Sequence, residues 1–174
     1  MPVIWTPRGS LTEADLRALE AELGTVLPGD YRAWLAATNG AGFPERAWIP
    51  EHEIFAEETL WGYRTARADT DLVEGRRRTR DVFTDDYTAI TRTLSGYLAV
   101  KTGGEDRGSV WEFDIDRMRE DGHYDPVAVC TRTLVRLADD FTGFLELWET
   151  DRSAESLGPP EHPGPEPGRA GADG

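Results

Sequence analysis

Reactive side chains are scarce in this chain: three histidines (His52, His123, His162), one cysteine (Cys130) and one lysine (Lys101). The histidines lie far apart without the spacing of a metal-ligand set, and a lone cysteine forms neither an intrachain disulfide nor a Cys-x-x-Cys pair. His123 stands between Asp121 and Asp125, an arrangement that could orient a general base. No serine or cysteine nucleophile motif accompanies it, and "DGHYDP" is good turn chemistry in its own right. Asp114 and Asp116 in "DID" would share one face of a strand, as a metal pair needs, but a solvated outer face produces the same pattern. "TGGEDRG" has the glycines of a phosphate loop; the segment after it reads as a strand instead of a helix, and Glu105 and Asp106 would repel an anion. The arginines of "EGRRRTR", Arg76 to Arg80, could form an anion site, although an exposed loop among acidic neighbours is favoured. Cys130 sits in an apolar stretch, which favours a buried and inert thiol. No constellation converges on a reaction. The expectation is a chain that is not an enzyme and uses no cofactor or metal.

Charge narrows the partners. The formal net charge is −14 at pH 7, and every basic position except Lys101 is arginine. Such a surface repels phosphate backbones and anionic lipid and attracts basic partners, so direct nucleic-acid and membrane binding are both disfavoured. No apolar run approaches ~18 residues, and "MPVIWTPRGS" lacks the basic and hydrophobic regions of a signal peptide. A cytoplasmic protein is expected.

The elements that would position these groups can be read from periodicity. The chain is long enough for one domain, with six Trp, six Phe and five Tyr to fill a core. "SLTEADLRALEAELG" predicts a first helix, with Ser10 and Glu13 as a capping box, Leu16, Leu19 and Leu23 as an apolar stripe and Gly24 as its exit. "LPGDYRAWLAATNG" predicts a second. Pro28 stands at its mouth, Tyr31, Trp34 and Leu35 share one inward face, and Asn39-Gly40 tolerates the positive φ that stops it.

The middle is strand-like, with "AWIP", "EIFAEETLWGY" and "DVFTDDYTAI" as short apolar segments, and residues 64–81 form a polar stretch. Tyr97 to Val100 suit a central strand, and Trp111, Phe113 and Ile115 alternate with Glu112, Asp114 and Asp116 as in a half-buried one. "REDGHYDPVAVC" reads as a loop whose apolar end could hold another strand. "LADDFTGFLELWET" then places Phe141, Phe144, Leu145 and Trp148 on one face of a closing helix, with Asp139 and Asp140 near its start. The order predicts an α+β fold: an N-terminal helical hairpin and a C-terminal helix packed on a mainly antiparallel β-sheet. Residues 1–10 are expected as an N-terminal extension, 11–150 as the domain, and 151–174 as a disordered Pro/Gly-rich acidic tail.

In this order, "LPGDYRAWLAATNG", "GYLAVKTGGEDRGSVWEFDID" and "LADDFTGFLELW" resemble the SUKH superfamily, over about Leu11 to Glu149. The match is most specific at Leu27-Pro28, Tyr31, Leu35 and Asn39-Gly40. The superfamily includes a fungal regulator of cell-wall assembly and many bacterial immunity proteins of polymorphic toxin systems. The resemblance implies an α+β fold with no established catalytic residues, in which Tyr31, Trp34 and Leu35 hold the domain together. It also implies a protein-binding role. One branch would neutralise a cognate toxin domain by occlusion, a nuclease type with a basic cleft being suited to an acidic inhibitor. The other would bind a housekeeping partner as a regulator or scaffold. Plausible contacts are Glu51, Glu53, Glu57 and Glu58, with Trp48 or Trp61 as aromatic anchor if exposed. The same glutamates could line an ordinary wet surface, and both tryptophans could be core.

Overall fold

The computed structural model describes residues 3–44, 47–57 and 59–150. A two-residue strand, β1 (Thr6–Pro7), precedes helix α1 (Glu13–Leu23). The expected capping box of Ser10 and Glu13 is formed instead by Thr12 and Asp15. Thr12 Oγ1 accepts from the Asp15 amide at 3.2 Å, and Asp15 Oδ2 accepts from the Thr12 amide at 2.9 Å. The Gly9 and Leu11 amides donate to the carbonyls of Thr38 and Ala36, which keeps this segment extended, so the helix starts two residues later than Ser10 would start it. Leu16, Leu19 and Leu23 are buried, and Gly24 leaves the helix with φ 69°.

Helix α2 (Gly29–Thr38) comes next, with Pro28 at its N-cap, where a missing amide hydrogen matters least. Short strands β2 (Ala41–Gly42), β3 (Ala47–Ile49), β4 (Ile54–Phe55) and β5 (Thr59–Leu60) lead to helix α3 (Leu72–Arg78). Strands β6 (Tyr87–Arg92), β7 (Gly96–Lys101) and β8 (Val110–Asp114) come after it, then helices α4 (Ile115–Asp121) and α5 (Pro126–Ala128). The described chain closes with β9 (Val135–Ala138), α6 (Phe141–Glu146) and β10 (Glu149–Thr150). Among the described residues the strands form three antiparallel sheets, ordered β1-β2-β5, β10-β3-β4 and β6-β7-β8-β9. The α+β architecture and the central place of Tyr97 to Val100 agree with the sequence reading.

Several local expectations are corrected. The polar stretch of residues 64–81 contains α3, which Asp71 caps by accepting from the amides of Val73 and Glu74, while Leu72, Val73 and Gly75 face inward. Asp114 and Asp116 do not share a strand face. Asp114 ends β8 and its carboxylate caps α4 through the Asp116 amide at 2.8 Å, leaving Ile115 37% exposed. The apolar end of "REDGHYDPVAVC" is helical instead of extended, because Asp125 caps Pro126–Ala128 and the turn continues with wider spacing through Thr133. The closing helix is shorter than its periodicity suggested: Leu137 and Ala138 belong to β9, and Asp140 caps α6 through the Gly143 amide at 2.7 Å.

The signature residues meet in one core. Leu27, Pro28, Leu35, Phe141 and Phe144 are buried with Tyr31, whereas Trp34 and Leu145 are half-buried at its margin. Tyr31 and Phe141 rings lie 4.6 Å apart and Trp34 and Phe141 5.1 Å, so α6 is clasped between two rings of α2. Asp30 reinforces the contact, its Oδ2 accepting from the amides of Phe141 at 2.7 Å and Thr142 at 3.2 Å. Residues 3–9, expected to lie ahead of the domain, pack on it: Val3 is buried, and the Trp5 ring sits 5.0 Å from Phe43 and 6.2 Å from Trp148. The tail expected over residues 151–174 lies outside the described residues.

Asn39 and Gly40 bring α2 against the middle of the chain. Asn39 holds a left-handed φ of 43°, and its side-chain amide brackets the Tyr63 backbone, accepting from its N–H at 2.8 Å and donating to its carbonyl at 3.2 Å. A Cβ on Gly40 (φ 82°) would stand 2.8 Å from the Leu60 carbonyl oxygen, and one on Gly62 would stand 2.3 Å from that of Asn39. Two backbones therefore touch where side chains cannot fit. Asn39→Ala loses both hydrogen bonds and the residue type that tolerates this conformation, and should cost about 2–4 kcal/mol, read as a lowered urea midpoint at unchanged slope.

Candidate functional site

The surface groove begins at the β3–β4 hairpin. Trp48 and Phe55 are a registered cross-strand pair whose rings stack 5.5 Å apart at 19°, and Glu149 pairs with Trp48 from the other side. Phe55 is 43% exposed, an unusual position for a large ring. Glu51 and Glu53 are exposed at the turn, Glu53 in left-handed backbone with φ 54°. A single antiparallel bridge, Ala56 to Thr93, ties this hairpin to the end of β6. A cleft lies on each side of that bridge.

The larger cleft, ≈ 300 Å³, is lined among others by Glu57, Thr59, Trp61, Arg78, Thr91 and Tyr97. Its charges are already used. Arg92 Nε pairs with Glu57 Oε2 at 3.0 Å, and the Arg78 guanidinium donates to the carbonyls of Ala68 and Asp69 at 3.0 and 2.9 Å. Arg78 also lies 5.4 Å over the Trp61 ring. Trp61 is buried, not an exposed anchor, and Gly75 of α3 lies so close to it that a Cβ there would stand 2.3 Å from the ring. The hydroxyl of Thr91 donates to the Thr59 carbonyl at 2.6 Å. This wall holds no nucleophile poised against a base.

The smaller cleft, ≈ 200 Å³, is lined by His52, Glu53, Phe55, Leu94, Ser95 and Glu112, with Ile54, Thr93 and Asp114 completing it. Leu94, in the β6–β7 turn, is 77% exposed. Glu112 is its unusual member. It sits mid-strand on β8, opposite Leu98 and Val135, and only 8% of it is exposed. Its side chain makes no hydrogen bond or ion pair with any described residue. Burial pushes its carboxyl above the usual glutamate range; the charge of Asp114 adds to this and Arg117 opposes it.

Other chemical candidates are structural or dispersed. His123 is half-exposed between exposed Asp121 and Asp125, and burial pushes the Cys130 thiol up, its sulfur accepting from the Thr84 amide at 3.4 Å. The turn "TGGEDRG" is a hairpin tether: Arg107 donates to the Thr102 and Val26 carbonyls at 3.1 and 2.8 Å, binding the β7–β8 turn to the α1–α2 connection. Within the arginine cluster, Arg76 donates to the Tyr87 carbonyl at 3.1 Å and pairs with Asp85, while Arg77 pairs with Glu74. Arg76 thus fastens α3 to β6, whereas the Arg77–Glu74 pair lies within α3, and Arg76, Arg77 and Arg80 share the lining of a cleft of ≈ 230 Å³ that Glu22 and Asp85 also line. Among the described residues no group of three or more His, Cys, Asp or Glu is arranged to hold a metal ion, and no helix is long and apolar enough to cross a membrane.

A model of the SMI1 / KNR4 family (SUKH-1) matches residues 10–147, most of the chain and all of the elements from α1 through α6. The chain belongs to this family. No curated protein matches it. SUKH-1 includes immunity proteins and the fungal SMI1/KNR4 regulators, and its members are in general non-enzymatic domains that bind protein partners.

Of the six contacts expected for a SUKH-1 partner surface, Trp48, Glu51, Glu53 and Glu57 gather on the hairpin and the strand end beside it. Trp61 forms a buried wall of the larger cleft, and Glu58 lies outside the described residues. Sequence reasoning missed Phe55, Leu94 and Glu112. The alternation of "VWEFD" assigned Glu112 to water, whereas the hairpin and the β6–β7 turn cover that face. Gly75→Ala should displace the Trp61 ring and cost about 1–3 kcal/mol by overpacking, outweighing the gain of about 1 kcal/mol in helix propensity. Tryptophan fluorescence and the urea midpoint would register it together.

Proposed function

We propose that this SUKH-1 domain is an immunity-type inhibitor that occludes a basic toxin domain with the face formed by the β3–β4 hairpin and its flanking clefts. The observation that carries the reading is the composition of that face. A partly exposed aromatic pair, Trp48 and Phe55, is surrounded by Glu51, Glu53, Asp114 and Glu149, on a chain of formal net charge −14. Aromatic anchors ringed by carboxylates suit a positively charged cleft, and the excess negative charge would speed encounter with it. A nuclease-type toxin, whose own substrate is a polyanion, fits such an inhibitor.

The mechanism needs no bond chemistry from this chain. The hairpin would sit across the toxin's cleft, its rings burying apolar area while the carboxylates take the positions of substrate phosphates. The test is co-expression with the toxin domain encoded beside this gene. Growth rescue and a purified complex are expected, and Glu51→Lys/Glu53→Lys should slow association by about tenfold or more at low salt. Absence of a neighbouring toxin, with neither rescue nor complex, would defeat the immunity reading. A housekeeping protein bound at the same face in its place would assign the chain to the regulatory branch.

A further inference from the structure

Building on the partner-binding reading, we infer that the smaller cleft is a receptor for one arginine side chain of a protein partner, with Glu112 as the carboxylate that receives it. Glu112 is more than nine-tenths buried, its side chain makes no hydrogen bond or ion pair with any described residue, and it faces a cavity of ≈ 200 Å³ that opens to solvent. Its oxygens keep contact with solvent through that opening while the rest of the side chain is buried, so the charge is poorly hydrated and a cation entering the cleft would stabilise it. The groups around it do not supply the partner. From β8 comes Asp114, of like charge; from the hairpin, His52 and Glu53; from the β6–β7 turn, the hydroxyls of Thr93 and Ser95; and Arg117 of α4 acts only from a distance.

The cleft selects a cation by charge and a flat one by its rim. Glu112, Asp114 and Glu53 line a cleft that no arginine lines, and the mouth carries the apolar surfaces of Phe55 and Leu94, 43% and 77% exposed. A guanidinium is planar, weakly hydrated and able to bond a carboxylate through two N–H groups while lying against apolar or aromatic surface. A compact, strongly hydrated ammonium gains less there. A cavity of this size takes one side chain, and the partly exposed Trp48–Phe55 pair beside it would support the segment that carries it. Free arginine would bring an α-ammonium and an α-carboxylate that gain nothing from the Trp48–Phe55 pair beside the cleft, whereas a polypeptide segment flanking the arginine can lie on those rings, so the occupant is an arginine within a polypeptide.

The full chain can be tested without knowing the partner. The blocked peptide acetyl-Gly-Arg-Gly-amide should lower the midpoint at which the Glu112 carboxyl titrates by about one pH unit, monitored by carbon-detected NMR. It should also shift the amides of Phe55, Leu94 and Ser95. The lysine analogue and free L-arginine should do so more weakly. Glu112→Gln should abolish the response and raise Tm by about 2–4 °C at pH 7.

Linkage gives the sign of that change. Because the folded carboxyl titrates above the ordinary 4.5, the unfolded chain releases its proton first as pH rises, so wild-type stability falls through that window. The gain from Gln should therefore vanish once pH is below the ordinary value and both states are protonated. An unmoved Glu112 midpoint with the arginine peptide, or stronger binding of free arginine, would overturn the inference whatever the toxin experiment gives. A positive peptide result with a failed rescue would keep the receptor and remove only the immunity role.

Discussion

The fold depends on one place where two backbones touch. Asn39 and Gly40 end α2 in left-handed geometry against the segment from Leu60 to Tyr63, and Gly62 admits the Asn39 carbonyl where any side chain would collide. From that contact the two halves of the domain take their relative position. The Trp61 amide donates to the Ile90 carbonyl and so attaches β5 to β6, while Gly62 exchanges hydrogen bonds with Thr70 and Leu72 and fixes the start of α3. The helical hairpin, α3 and the four-stranded sheet are thus referred to a single junction. Such a junction is demanding because its polar groups are inside the protein and each must find its partner locally.

Around it the aromatic residues divide into two populations. Tyr31, Trp34, Phe141 and Phe144 join α2 to α6, and Trp5, Phe43 and Trp148 continue that packing toward the N-terminal segment. A second group, Phe83, Tyr87, Tyr97, Trp111 and Phe113, packs ring to ring along β6, β7 and β8, with Trp61 set against Tyr97. Each fully buried ring contributes about 1.5–3 kcal/mol, so a chain without disulfides has ample means to hold itself together. Trp48 and Phe55 stand apart from both groups, paired with each other at the surface.

What was legible in the sequence was whatever repeats with the period of its own element. Leu16, Leu19 and Leu23 announce α1; Tyr31 and Leu35 with Asn39-Gly40 announce α2 and its end; Tyr97 to Val100 announce the interior strand. The helix α3 was hidden because it is two turns long and three of its seven residues are arginines, two of which, Arg76 and Arg78, find their partners in other segments. Asp114 was misread because a carboxylate that ends a strand and one that caps a helix look alike until the next element is known. Of the candidate site, the acidic hairpin with Trp48 could be anticipated. Glu112 could not, since alternation separates the two faces of a strand without saying whether either is left wet.

The bridge between Ala56 and Thr93 has an evolutionary consequence. The hairpin is held by β10 along one side and by this single backbone pairing on the other, and neither the junction at Asn39 nor the large sheet draws on its exposed side chains. Replacements at Trp48, Glu51, Glu53 or Phe55 can therefore accumulate with little penalty to folding. The side chains displayed on this face can thus change while the scaffold beneath stays constant, so that one SUKH-1 framework can present many different surfaces.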